Sequence, residues 1–151
     1  MITEDYVSFE TAKLLKEKGF KEWCFHCYGV AVLHNGADIS FDEECDLKDE
    51  GRGDEIEYVE GDRLYDYGCN NSDKDAKVWA APTLSVAMKW LREVHKLYCD
   101  IKIGDGDFVI DIISLKDGEF GCEVAEPESC VYSTYEKAAE AAIKYCLENL
   151  I

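Results

Sequence analysis

Apolar residues recur every three or four positions in three stretches of the chain and alternate with polar ones in several others. The strongest stretch is PTLSVAMKWLREVHKLY, Pro82 to Tyr98. Pro82 cannot continue a helix from before it, and the Thr83 hydroxyl is a good acceptor for an orphan N–H of a first helical turn. Leu84, Ala87, Met88, Leu91, Val94 and Tyr98 then fall on one helical face, and Val86, Trp90, Val94 and Leu97 widen it. A stripe that wide predicts a helix packed across a sheet. His95, at its edge, reads as a partly buried histidine near a helix C-terminus.

The second stretch is VSFETAKLLKEKGF, with Phe9, Ala12 and Leu15 at helical spacing. Ser8 opens it, and Gly19 is placed to end it in a left-handed conformation, with Phe20 folding back on Leu15. The third is TYEKAAEAAIKYCLENL. Here Ser133 with Glu136 predicts a capping box, and Tyr135, Ala138, Ala139, Ala142, Ile143, Cys146, Leu147 and Leu150 predict the buried face.

Strand patterns fill the remainder. Trp23 to His34 reads as extended, and Asn35-Gly36 signals a hairpin with a return strand at Ile39 to Phe41. Strands are expected around Ile56–Val59 and Arg63–Tyr67, separated by a turn at 69–73 from an apolar run, Val78 to Ala81. Beyond the central helix, Cys99–Ile103, Phe108–Leu115 and Glu119–Val124 are three more, joined by glycine turns at 104–107 and 116–118. The expectation is an α+β fold, an antiparallel sheet with three helices packed on it, in one domain of 151 residues. A chain of that length can bury about 70% of its unfolded surface.

Charge changes the picture in one region. The chain carries 33 acidic and 16 basic residues, a net −17. Residues 42–62 hold eleven of the acids, opposed only by Lys48 and Arg52. With Gly51 and Gly53 among them, this segment reads as an acidic loop. A surface of that sign repels nucleic acid and anionic lipid and favours a basic protein partner. Asp42, Glu43, Glu44, Asp46, Asp49 and Glu50 are the candidate partner-binding residues. No apolar run approaches a membrane span. The opening MITEDYVSF has neither the basic start nor the apolar core of a signal peptide, which predicts a cytoplasmic protein with its eight cysteines reduced. Cys99, Cys122 and Cys146 lie in apolar patterns and read as core residues.

Candidate chemistry is sparse. Cys24-Phe25-His26-Cys27 has CxxC spacing, but zinc needs four ligands and no second pair follows. In a strand, Cys24 and His26 would share a face and Cys27 would point away. Asn71, Asp73 and Asp75 begin like a calcium loop, yet Ala76 stands where glycine is needed and Pro82 where glutamate is. No phosphate-binding glycine loop, dinucleotide fingerprint or nucleophile elbow occurs. No cofactor, metal or catalytic residue is therefore assigned. The expected function is a non-enzymatic acidic interaction protein, nucleic-acid mimicry being a special form of it. The alternative is a small hydrolase or thiol enzyme using Cys24 and His26.

Two resemblances bear on this reading. Residues 83–150 run α-β-β-β-α, an order similar to the double-stranded RNA-binding domain, and the alanine spacing of the last helix resembles that domain's closing helix. That family grips phosphates with a basic cluster at the start of that helix, where this chain has Tyr135, Glu136 and Lys137. The pieces VSFETAKLLKEKGF, APTLSVAMKWLREVH and TYEKAAEAAIKYCLENL resemble a family of small acidic proteins of gut bacteria and their phages or mobile elements, a family without an assigned activity. This second likeness implies a cytoplasmic or mobile-element origin and no catalytic residue.

Overall fold

A computed structural model describes residues 1–66, 68–116, 122–125 and 131–151. Among them are four α-helices and two antiparallel three-stranded sheets, an α+β architecture. There are thus two sheets rather than one, and a fourth helix. The chain groups into two compact units, one of residues 1–20 and 82–151, the other of residues 21–81.

The first unit opens with helix α1 (Phe9–Glu17), capped by the Ser8 hydroxyl, which accepts the Thr11 N–H. Its end is the expected one. Gly19 takes φ +92°, its N–H donates to the Lys16 carbonyl, and the Phe20 N–H donates to the Leu15 carbonyl. Leu15 and Phe20 are both fully buried. The paired back-bonds satisfy carbonyls that the helix leaves open, and they fix where the chain departs.

Helix α3 (Leu84–Val94) starts where expected, with the Thr83 hydroxyl accepting the Val86 N–H. It is shorter than expected. His95 closes it, Lys96 turns back at φ +57°, and Leu97 and Tyr98 already belong to strand β4 (Leu97–Gly104). The apolar residues at the end of the stripe thus serve strand alternation. Leu84, Ala87, Trp90 and Leu91 are buried, whereas Val86 and Val94 are exposed, so the stripe is narrower than its spacing implied. Trp90 meets Phe20 edge-on at 5.4 Å and His95 at 4.6 Å.

Strand β4 turns into β5 (Asp107–Ser114) through Asp105 at φ +48° and Gly106 at φ +91°. Two positive φ angles in a two-residue loop match the twist of a hairpin. Strand β6 (Cys122–Ala125) pairs with β5, giving the order β4-β5-β6. The expected start of that strand at 119–121, the burial of Cys122 and the stretch around Pro127 lie outside the described residues. Helix α4 (Tyr135–Asn149) completes the α-β-β-β-α order. Its cap is Thr134 rather than Ser133, and no capping box forms. It packs on α1, α3, β4 and β5. Ala138, Ala139, Ala142, Ile143, Cys146 and Leu147 are all inaccessible to solvent, whereas Tyr135, expected on the same face, is exposed in the first turn. Three alanines on that face let the backbone approach its neighbours closely.

The second unit is built on β1 (Cys27–Leu33). One edge pairs with β2 (Ile56–Tyr65), and the other with the short β3 (Trp79–Ala80). The two strands expected at 56–59 and 63–67 are one, which ends at Tyr65; Tyr67 lies outside the described residues. A bulge joins them, since Val30 faces Val59 while Tyr28 faces Leu64. Gly61 lies in that bulge, where a Cβ would sit 2.2 Å from Val30 Cγ2. After β1, Gly36 turns at φ +85° and the chain returns beside the strand for only two residues. Asp38 pairs with Val32, and the Ile39 N–H donates to the Ala31 carbonyl.

Helix α2 (Phe41–Asp49) then occupies ground expected to be an acidic loop and the end of a return strand. Its cause is local. The Ser40 hydroxyl accepts the Glu43 N–H while the Glu43 carboxylate accepts the Ser40 N–H, a full capping box. Asp42, Glu43 and Glu44 in the first turn complement the positive end of the helix dipole. Charge density that looked adverse to order here favours the helix.

Candidate functional site

Of the six acids proposed to meet a partner, five are exposed on or just beyond α2, namely Asp42, Glu43, Asp46, Asp49 and Glu50. Glu44 is not. Helical spacing turns it inward, and its side chain is 5% exposed. There its Oε1 accepts a hydrogen bond from the Tyr58 hydroxyl and one of 2.6 Å from Lys48 Nζ, which lies 2.8 Å from the Tyr58 oxygen. A buried carboxylate is retained only with such partners. Glu44 thus anchors α2 to β2 and is removed from the binding set.

The outer side of α2 borders a groove of about 450 Å³. Its apolar lining is Leu33, Ile39 and Leu47, and its carboxylates are Asp38, Glu43, Asp46 and Glu50. Arg52 also lines it, held by Glu55 at 2.7 Å and Glu50 at 3.4 Å. Asp38 lies 3.7 Å from Arg63, and Glu43 serves the helix cap. Asp42 and Asp49 do not line the groove. Chemically, this is a concave apolar strip with negative groups beside it.

The thiols form a second cluster in the same unit. Cys24 and Cys69 are joined by two reciprocal backbone hydrogen bonds of 2.9 Å, and the Cys27 thiol is hydrogen-bonded to that of Cys69. Cys24 and Cys27 are both buried. Cys24 lies in an isolated bridge to Cys69 and the strand starts only at Cys27, after a bend at Phe25, so the strand alternation expected across 24–27 does not form. Burial, reinforced by the charge of Cys69, pushes the Cys24 thiol up to about 12. The bond to Cys69, with burial, pushes Cys27 well above the ordinary thiol range. A nucleophilic cysteine needs the opposite shift. His26 Nε2 lies 3.6 Å from Asp66. Among the described residues no group of three or more His, Cys, Asp or Glu side chains is arranged to hold a metal ion.

The residues that began like a calcium loop have structural duties. Asn71 is buried, and its Oδ1 accepts the Ala80 N–H at 2.9 Å, holding β3 in place. Asp73 Oδ1 accepts the Asp75 N–H in a turn. Sequence reasoning missed the Asn71 role, and also that of Glu140 in the first unit. Glu140 Oε1 accepts the Ser8 N–H at 3.0 Å and the Thr11 hydroxyl at 2.6 Å, so α4 satisfies the start of α1. Neither residue stands in a local motif; only the distant partner gives it meaning.

Comparison with models of protein families, with curated proteins and with solved structures finds no match for this chain.

Proposed function

We propose that the protein is a non-enzymatic interaction protein that docks a basic protein partner on the outer side of α2. The observation that supports this is the groove beside that helix, with Leu33, Ile39 and Leu47 as its apolar part and the carboxylates of Asp38, Glu43, Asp46 and Glu50 outnumbering the one cation, Arg52. A basic side chain fits such a place twice over. Its methylenes cover the apolar strip while its charged head reaches a carboxylate. The net charge of −17 adds long-range steering to the contact. Among the described residues no helix is long and apolar enough to cross a membrane. A cytoplasmic setting, where such partners are met, belongs to the same proposal.

The thiol-enzyme alternative is weakened by the raised Cys24 and Cys27 thiols, which hold both sulfurs in their unreactive form at neutral pH.

The test uses an immobilised peptide alternating lysine with leucine, and the same peptide acetylated on every lysine. The unmodified peptide is expected to bind, with association slowing as salt rises. Asp42→Asn, Glu43→Gln, Asp46→Asn and Glu50→Gln together should slow association more than they speed dissociation. Binding that ignores salt and the four substitutions, or that favours the acetylated peptide, would dispose of the acidic-surface reading.

A further inference from the structure

The thiols of the second unit take no part in the α2 groove, yet three of them gather around the start of β1. Cys24 and Cys69 face each other in an isolated antiparallel bridge, held by two backbone hydrogen bonds of 2.9 Å. The Cys27 thiol is hydrogen-bonded to the sulfur of Cys69. Cys24 is engaged elsewhere, its thiol lying 3.7 Å from the Glu22 carbonyl oxygen. A thiol–thiol hydrogen bond leaves about 2 Å to close before an S–S bond of about 2.05 Å, a gap that side-chain rotation covers.

Access separates this pair from another close pair in the chain. Cys99 and Cys146 stand 3.9 Å apart in the first unit, and both are buried. Cys27 is buried as well, but Cys69 is only half-buried, so a small reagent can reach its sulfur. A reachable thiol in contact with a buried one is the arrangement in which the first reacts with the reagent and the second displaces it. The bond to Cys69, then burial, then the charge of Cys69 hold the Cys27 thiol well above the ordinary range. Two of those three causes weaken once the Cys69 sulfur is bonded to another sulfur and carries no charge. Modification of Cys69 therefore readies Cys27 to react.

We propose that Cys69 is a site of reversible oxidation by small-molecule disulfides, with Cys27 as the resolving thiol. Cys69 gives up its proton, and its thiolate attacks one sulfur of the reagent, RSSR. The reagent's S–S bond breaks, one RS− leaves and takes up a proton, and Cys69 is left in a mixed disulfide. Cys27 then attacks the Cys69 sulfur, its proton passing to the second RS− as that leaves. Two protein thiols are oxidised by two electrons, and one RSSR is reduced to two RSH. The new bond closes a loop from residue 27 to residue 69 that contains β1, α2 and β2. It staples the elements that carry the α2 groove, and a reducing thiol releases them. The reaction needs no partner in that groove and stands whether or not one docks there.

The probe is oxidised glutathione, added to the whole folded protein, followed by an acid quench, alkylation of the remaining thiols and mapping of disulfides by mass spectrometry. The expected product is a Cys27–Cys69 bond, formed while Cys99 and Cys146 stay as thiols. Amide exchange in β1 and β2 should slow about tenfold on oxidation, because closing a loop of this length restrains the opened chain, and should recover with dithiothreitol. Cys27→Ala should stop the reaction at a glutathione adduct on Cys69, and Cys69→Ser should abolish bond and adduct alike. If buried Cys27→Ala does not fold, the map of the unaltered protein and half-buried Cys69→Ser decide the matter. A Cys24–Cys69 bond in its place, no bond at Cys69 in the folded protein, unchanged exchange after oxidation, or equally fast oxidation of Cys99 and Cys146 would overturn the proposal.

Discussion

The two units solve the same problem with different materials. Among the described residues, the largest side chains that are fully buried, Val7, Thr11, Leu15, Phe20, Leu91, Ile112, Ile143, Cys146 and Leu147, all belong to the first unit. The second unit has six basic and sixteen acidic residues in 61, a net −10, and its buried set is Cys24, Cys27, Tyr28, Ala31, Val32, Ile39, Glu44, Asn71, Trp79, Ala80 and Ala81. Where apolar volume is scarce, a buried carboxylate and a buried amide fix the elements instead. Glu44 ties α2 to β2, and Asn71 ties β3 to its loop. The difference teaches that the acidic half is not a solvated appendage. Its charge is sorted, one carboxylate into the interior and the others onto an outer face.

The comparison is broken most directly from the first unit. Leu91 on α3 is inaccessible to solvent. Leu91→Ala should leave a cavity and cost about 2–5 kcal/mol in denaturant melts. A loss below about 0.5 kcal/mol, the scale of surface substitutions, would mean that this helix does not carry the core.

In the second unit the matching change is polar. Glu44→Ala removes the acceptor that the Tyr58 hydroxyl and the Lys48 ammonium share, and should cost about 1–3 kcal/mol. The loss should appear as faster amide exchange in α2. Unchanged exchange there would show that Leu47 and Phe41, not the carboxylate, hold the helix.

The smallest effect is one of pH. Burial lowers the pKa of His95, and the nearby Lys116 charge lowers it further. The unfolded chain therefore takes up this proton at higher pH than the folded one. The stability contributed by neutral His95 is present above about pH 6.5, the unfolded value, and is lost as pH falls through the lower folded pKa. His95→Gln should flatten that part of the stability curve between neutral and mildly acid pH. Parallel curves for the two proteins would remove His95 from the account.

Legibility followed the same divide. Helix α1, its glycine ending, the start of α3, the buried face of α4 and the Asp105-Gly106 hairpin could be read because each rests on neighbours within a few positions. The end of α3 was misplaced because Leu97 and Tyr98 satisfy the helical period and the strand period alike, and only the turn at Lys96 decides between them. Helix α2 was missed although Ser40 and Glu43 carried its capping signal. Eleven acids in 21 residues suggest repulsion, yet three of them, Asp42, Glu43 and Glu44, fall in a first turn where the helix dipole favours them. The candidate site was legible as a charged segment but not as a groove. Leu33, Ile39 and Leu47 come together only after the chain has turned at Gly36 and coiled at Ser40. The inward turn of Glu44 needed Tyr58, fourteen positions away, to be known.

The way the first unit is closed has a consequence for how the chain can change over time. The Val7 N–H donates to the Pro82 carbonyl, and the Leu84 N–H donates to the Asp5 carbonyl. These bonds, like the glycine ending at Gly19, run between residues of the first unit alone, yet they bracket an excursion of 61 residues. The entropy of closing such an excursion grows only with the logarithm of its length, about 0.6 kcal/mol per doubling. Residues 21–81 are therefore an insertion in the sequence between two parts of the first unit. A change in the length of that insertion is expected to cost the closure of the first unit little.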